Sequence, residues 1–169
     1  MAIWQFKLEV IPATVIGARD IIPEKEWEDC RWWLESDVPC EMVSDLAGIL
    51  PPHQAWSEDL RQWGRQDSDL VEIWREGDLV ESISARVDTR EVDPSFVKRL
   101  LMIAEKWQCR LVYSRYRSVL PTEYTAFMEA LKESPNFKVV GAPEVWLPKM
   151  AEEVANETKS ANNSFKVDP

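Results

Sequence analysis

From its N-terminus the chain opens with a period of two. In AIWQFKLEVIP, Trp4, Phe6, Leu8 and Val10 alternate with Ile3, Gln5, Lys7 and Glu9, the pattern of a strand with one apolar side. Pro12 ends it. The spacing then changes: IPEKEWEDCRWWLE predicts a helix, with Pro23 suited to the first turn and Glu24 and Glu26 facing its positive end. On that helix Trp27, Cys30 and Leu34 form one stripe with Trp33 on its shoulder, and Trp32 falls on the opposite, charged side. EMVSDLAGILPP predicts a short helix stopped by two prolines. In PPHQAWSEDLRQWGRQDSD, Trp56, Leu60 and Trp63 stand at i, i+4 and i+7, predicting another short helix capped by Ser57 and ended by Gly64, its tryptophans packing residues.

LVEIWREGDLVESISARVD is the clearest element, two strands joined at Glu76-Gly77-Asp78. Val71 and Ile73 alternate with Glu72 and Trp74, and Ile83, Ala85 and Val87 with Ser82, Ser84 and Arg86. Asp93 and Pro94 then read as the N-cap and first residue of a helix reaching Trp107. CRLVYS is a fourth strand and TEYTAFMEALKES a further amphipathic helix. APEVWLPKMAEEVA reads as helical in part, interrupted by Pro148, and residues 156–169 as a polar tail.

This order predicts a single α+β domain over residues 1–155, a ferredoxin-like β-α-β-β-α-β arrangement with an antiparallel sheet and added C-terminal helices. Right-handed crossovers place both principal helices on one sheet face. The other face then carries Gln5, Lys7, Glu9, Glu72, Trp74, Ser82, Ser84, Arg86 and Arg110, either open to a partner or partly covered by the C-terminal helices.

Charge narrows the function. The 169 residues carry a net charge of −10, concentrated in residues 20–93, where 20 acids face 7 bases; residues 94–150 hold 5 acids and 9 bases. Such acidity disfavours nucleic acid and anionic membrane surfaces, which both attract cations. It favours a basic protein partner by electrostatic steering, or serves solubility alone. The N-terminus shows no basic, apolar and small-residue succession, and no segment is long and apolar enough to predict a transmembrane helix. An odd count of three cysteines suits free thiols in a reducing compartment, so the expected address is the cytoplasm.

The chemistry of common enzymes is missing. His53 is the one histidine, and Cys30, Cys40 and His53 lack zinc-ligand spacing. Nothing local supports Cys40 and His53 as a nucleophile pair, and neither a serine-hydrolase elbow nor a glycine-rich phosphate loop is present. Asp67 and Asp69 form a D-x-D pair that needs further oxygen ligands to hold a cation, as do Asp88, Glu91 and Asp93. Arg110, Arg115 and Arg117 cluster with two tyrosines in CRLVYSRYRS, able to grip an anion or to pair with the chain's own acids. The expectation is a protein without catalytic residues, metal or cofactor.

Trp56, Ser57, Leu60, Trp63 and Gly64 fit a W-S-x-x-L-x-x-W-G segment, Val87, Asp88 and Arg90 a hairpin ending in hydrophobic-Asp-x-Arg, and Cys109 a strand after a helix. Across residues 3–147 this resembles a group of small bacterial proteins that are in turn similar to the immunity proteins of polymorphic toxin systems. The resemblance implies a role class, a cytosolic protein binding a basic partner, and no catalytic residue. Interface energy concentrates in Trp, Tyr and Arg anchors, so Trp32, Trp74, Glu72, Arg86, Arg110 and Arg115 are the candidate partner-binding residues. The alternative is a small ligand- or metal-dependent enzyme or sensor using Asp67, Asp69, His53 or the Arg110–Arg117 loop. A homo-oligomer with tryptophans buried between copies is the third reading.

Overall fold

The computed structural model describes residues 2–28, 31–33, 36 and 38–164, with 157–164 as backbone only. The fold is α+β. Among the described residues one antiparallel sheet of seven strands runs in the order β2-β3-β4-β5-β1-β6-β7. Its strands are β1 (Gln5–Pro12), β2 (Pro52–His53), β3 (Leu60–Gly64), β4 (Leu70–Glu76), β5 (Leu79–Asp88), β6 (Cys109–Tyr113) and β7 (Ser118–Val119). The helices are α1 (Ala13–Ile16), α2 (Glu24–Glu28), α3 (Cys40–Ala47), α4 (Pro94–Lys106), α5 (Tyr124–Glu133), α6 (Pro135–Gly141) and α7 (Pro143–Ser164).

β1 lies inside the sheet, pairing with β5 from Gln5↔Asp88 to Glu9↔Ser84 and with β6 from Leu8↔Tyr113 to Pro12↔Cys109. That register places Phe6, Leu8 and Val10 on one face with Val71, Ile73, Ile83, Ala85, Val87, Leu111 and Tyr113. These residues join Phe96, Val97 and Leu100 of α4 and Phe127 and Leu131 of α5 in a single core. Phe6 stacks on Tyr113 at 4.2 Å and meets Phe127 edge-on at 6.3 Å. Full burial of such a side chain is worth about 1.5–3 kcal/mol.

The cap predicted at Asp93 forms, and Glu123 supplies another. Asp93 accepts the Ser95 N–H at 2.7 Å ahead of Pro94, and Glu123 accepts the N–H groups of Thr125 and Ala126, which hold its carboxyl below the ordinary range. Pro148 lies inside α7, which continues through Ser164 into the expected polar tail. The β4–β5 hairpin turns at Gly77, whose φ of +60° is the left-handed conformation the turn requires.

Two elements differ from expectation. Among the described residues the helix expected over 22–35 is helical in α2 alone; Cys30 and Leu34 lie outside the described residues, and Trp32 and Trp33 lie in a turn. Both tryptophans are buried: Trp32 is 8% exposed and 5.9 Å from the Trp27 ring, and the Trp33 indole N–H donates to the Val10 carbonyl at 2.8 Å. Adjacent helical residues diverge by about 100°, so a continued helix would leave one indole in solvent. Leaving the helix buries both.

The second difference is β3, expected as a helix. Leu60, Gln62 and Gly64 all point to one buried side, so the segment does have a period of two, with a glutamine at its centre. Gly64, at φ +104°, passes so close to the Asp69 carbonyl oxygen that an added Cβ would sit 2.3 Å from it. Only glycine fits that crossing.

Candidate binding surface on the polar face of the sheet

The register turns the second face of the sheet into a grid. One row runs Gln62, Glu72, Ser84, Glu9 across β3, β4, β5 and β1, and the next runs Leu70, Arg86, Lys7. Gln62 donates to Glu72 at 2.7 Å, Arg86 reaches the same carboxylate at 2.5 Å, and Lys7 pairs with Glu9 at 2.7 Å. Of the two states expected for this face, open or partly covered, the ladder is in the covered one: Gln5, Glu9, Glu72 and Ser84 are buried, with Glu72 only 4% exposed. Burial pushes the Glu9 carboxyl above its ordinary range, against the pull of Lys7. The Gln62 Oε1 and Arg86 Nε atoms are buried with no hydrogen-bond partner among the described residues. Each charge therefore has an opposite charge in contact, and the ladder holds cross-strand register instead of presenting a free acid or base.

The aromatic end of this face is different. Trp74 pairs with Ser82 and Leu60, next in the grid beyond Glu72, and is half-buried. Trp56, on the segment entering β3, meets it edge-on at 5.3 Å yet remains 74% exposed, so it is not the packing residue expected. Glu58 and Asp59 follow in sequence, both exposed and without an ion-pair partner among the described residues. Leu79, at the hairpin tip, is also exposed. An indole held against a second indole, with two exposed carboxylates two and three residues on, is pre-ordered for contact at little entropic cost.

The other candidates scatter. Trp32 is core. Arg110 is exposed on β6, separated from Trp74 on β4 by two strands. Arg115 pairs with Glu153 at 2.9 Å and Arg117 approaches Glu24 at 4.0 Å, so two cations of the basic loop are matched by the chain's own acids. His53 is exposed on edge strand β2, opposite Gln62.

Asp67 and Asp69 belong to a corner latch. Asp69 Oδ1 accepts the Asp88 N–H at 2.8 Å, and burial raises its carboxyl to about 6, with Asp88 and Asp93 adding to the rise. Against the cost of burial, Arg90 grips Asp88 through both carboxylate oxygens and holds it below the ordinary range. The same guanidinium lies 4.4 Å from the Trp4 ring and donates to the Asp67 carbonyl. The Asp67 side chain is paired with Arg65 at 3.3 Å. Among the described residues no three His, Cys, Asp or Glu side chains converge as metal ligands. Burial pushes the Cys109 thiol up to about 11, which keeps it from acting as a thiolate, while Cys40 is exposed; neither is in a disulfide.

Sequence reasoning missed the exposure of Trp56 and the inward Gln62. The signal for both was the alternation in Leu60-Arg61-Gln62-Trp63-Gly64, outweighed by the helical spacing of the two tryptophans.

No family model, curated protein or solved structure matches this chain. Among the described residues no helix is long and apolar enough to cross a membrane.

Proposed function

We propose that this chain is a non-enzymatic binding protein of the immunity type, bacterial and cytoplasmic, that engages a basic protein partner through Trp56 and Trp74. The observation that carries the reading is Trp56, 74% exposed and braced by Trp74 beside the unpaired acids Glu58 and Asp59. Large exposed aromatics are the commonest interface anchors, and nearby carboxylates steer a cationic partner towards them. The net charge of −10 supports the same partner and opposes nucleic acid. Of the six residues singled out from sequence, Trp74 remains the direct anchor. Glu72 and Arg86 shape the ladder beneath it, Arg110 and Arg115 lie away from it, and Trp32 acts through the core.

We further infer that the inner strands β4-β5-β1-β6, with α4 after β5, carry the ferredoxin-like plan, extended by β2 and β3 at one edge and β7 at the other. That plan puts the helices behind the sheet and leaves the aromatic pair on the opposite face.

Capture from a native lysate on the immobilised chain, at low and high salt, tests the proposal. The expected result is a basic protein held at low salt, released at high salt, and lost with Trp56→Ala, which leaves the melting temperature unchanged. Retention that Trp56→Ala does not alter, or that high salt strengthens, would overturn it.

A further inference from the structure

Several partly exposed indoles of this chain carry a cation from the chain itself. The Arg90 guanidinium lies 4.4 Å from the Trp4 ring, Lys106 Nζ 5.0 Å from Trp107 and Lys149 Nζ 4.5 Å from Trp146. The negative face of each ring attracts the charge. Trp56, at 74% the most exposed tryptophan among the described residues, has no such cation among them. Arg75, next to Trp74, is engaged with the Asp78 carbonyl at 2.9 Å, and Arg61 pairs with Ile73 and so points to the core face of the sheet.

The complete arrangement is built at Trp4. There Arg90 lies over the ring while its Nε and Nη2 atoms donate to Asp88 at 3.0 and 2.7 Å, so one planar cation serves an indole and a carboxylate together. Lys106 repeats the pattern over Trp107 with Asp45, at 2.6 Å. At Trp56 the ring and the carboxylates are in place. Glu58 and Asp59 are exposed and hold no ion pair among the described residues. Asp59 is fixed beside the anchor pair: its N–H donates to Ser57 Oγ at 3.2 Å, and its carbonyl accepts the N–H of Arg75, the residue after Trp74, at 2.9 Å.

We propose that this surface receives an arginine side chain of the basic partner, its guanidinium flat on the Trp56 indole and forked onto the Glu58 or Asp59 carboxylate. The proposal rests on the reading of Trp56 as the partner-binding anchor and names what that anchor holds. Openness to water selects arginine over lysine. An ammonium is strongly hydrated and gains little by leaving solvent for an exposed ring. A guanidinium is weakly hydrated and planar, so it stacks and forks at the same time, as Arg90 does at Trp4.

Titration of the full chain at neutral pH and low salt with tetra-arginine, tetra-lysine and tetra-citrulline amides tests this, read on the tryptophan indole N–H resonances. The Trp56 signal is identified by its loss in Trp56→Ala. Tetra-arginine is expected to move that signal and to bind about threefold or more tightly than tetra-lysine, while neutral tetra-citrulline leaves it in place. Trp56→Ala should bring the arginine peptide down to the affinity of the lysine peptide. Glu58→Gln together with Asp59→Asn should remove most of the arginine advantage. Equal binding of the two cationic peptides would overturn the proposal, as would tetra-arginine binding that leaves the Trp56 signal unmoved or citrulline binding as strong as arginine. The wider reading fails separately: it is lost only if capture of the basic partner is indifferent to Trp56→Ala.

Discussion

Replacing Asp69 by asparagine tests whether the corner joining the β3–β4 turn to β5 forms despite a buried charge. Burial moves this carboxyl from 3.8 to about 6, the neighbouring Asp88 and Asp93 push the same way, and the Asp88 N–H pulls back. A raised folded pKa means that the folded chain binds the proton more tightly than the unfolded chain. Stability from this group is therefore full at low pH and is lost as pH rises from about 4 to about 6. The shift corresponds to about 3 kcal/mol, reduced to about 1–2 kcal/mol because Asp69 is only half-buried and solvent screens it. Asparagine keeps an oxygen for the Asp88 N–H and removes the charge. Asp69→Asn should thus be more stable than the parent by about 1–2 kcal/mol near neutral pH, an advantage that vanishes near pH 4. Paired urea melts across this range read the difference, in which titrating groups remote from Asp69, such as Glu9, cancel. A difference independent of pH, or a less stable variant at neutral pH, would refute the reasoning.

Trp32→Ala should cost about 3–5 kcal/mol, because it empties a buried indole site; a urea midpoint close to that of the parent would show that the indole contributes little to the core. Arg86→Met should cost about 3 kcal/mol by stranding the buried Glu72 carboxylate, and the double change with Glu72→Met should recover much of that loss. Equal destabilisation in the double variant, measured by the same melts, would mean that the pair itself contributes the stability.

The parts of the fold legible in sequence are those where one periodicity runs uninterrupted. β1, the β4–β5 hairpin, α4 and α5 each present an apolar side at a constant spacing, and capping residues fix the helix starts. β3 was obscured because Gln62 occupies an inward position, where a polar residue reads as a solvent position. It tolerates burial because its amide N–H₂ donates to Glu72. Alternation also shows which residues share a face without showing whether that face is covered. Glu9 and Glu72 look like surface acids in sequence and are buried, Glu72 through a cross-strand pair with Arg86 that no local pattern encodes. The tryptophans failed for a related reason. Trp32 and Trp56 were placed by helical wheels, and neither residue lies on a helix, so the inferred exposure of each was reversed.

What favours the aromatic surface is an exposed, braced indole beside acids that are not committed to an ion pair among the described residues. Arg86 is matched to Glu72, Lys7 to Glu9, Arg90 to Asp88, Arg115 to Glu153 and Lys106 to Asp45. Breaking any of these pairs to bind a partner would set a lost contact against the new one, so little net affinity follows. Among the described residues Glu58 and Asp59 hold no such partner, and Trp56 keeps most of its indole in water while Trp74 fixes its position. Contacts made there displace solvent and no existing ion pair. The polar ladder beneath contributes rigidity, since Gln62 of β3 and Arg86 of β5 both bind Glu72 of β4, the strand that carries Trp74. On the proposed reading, binding energy and structural polarity would occupy adjacent parts of one face, so that a partner could use the first without dismantling the second.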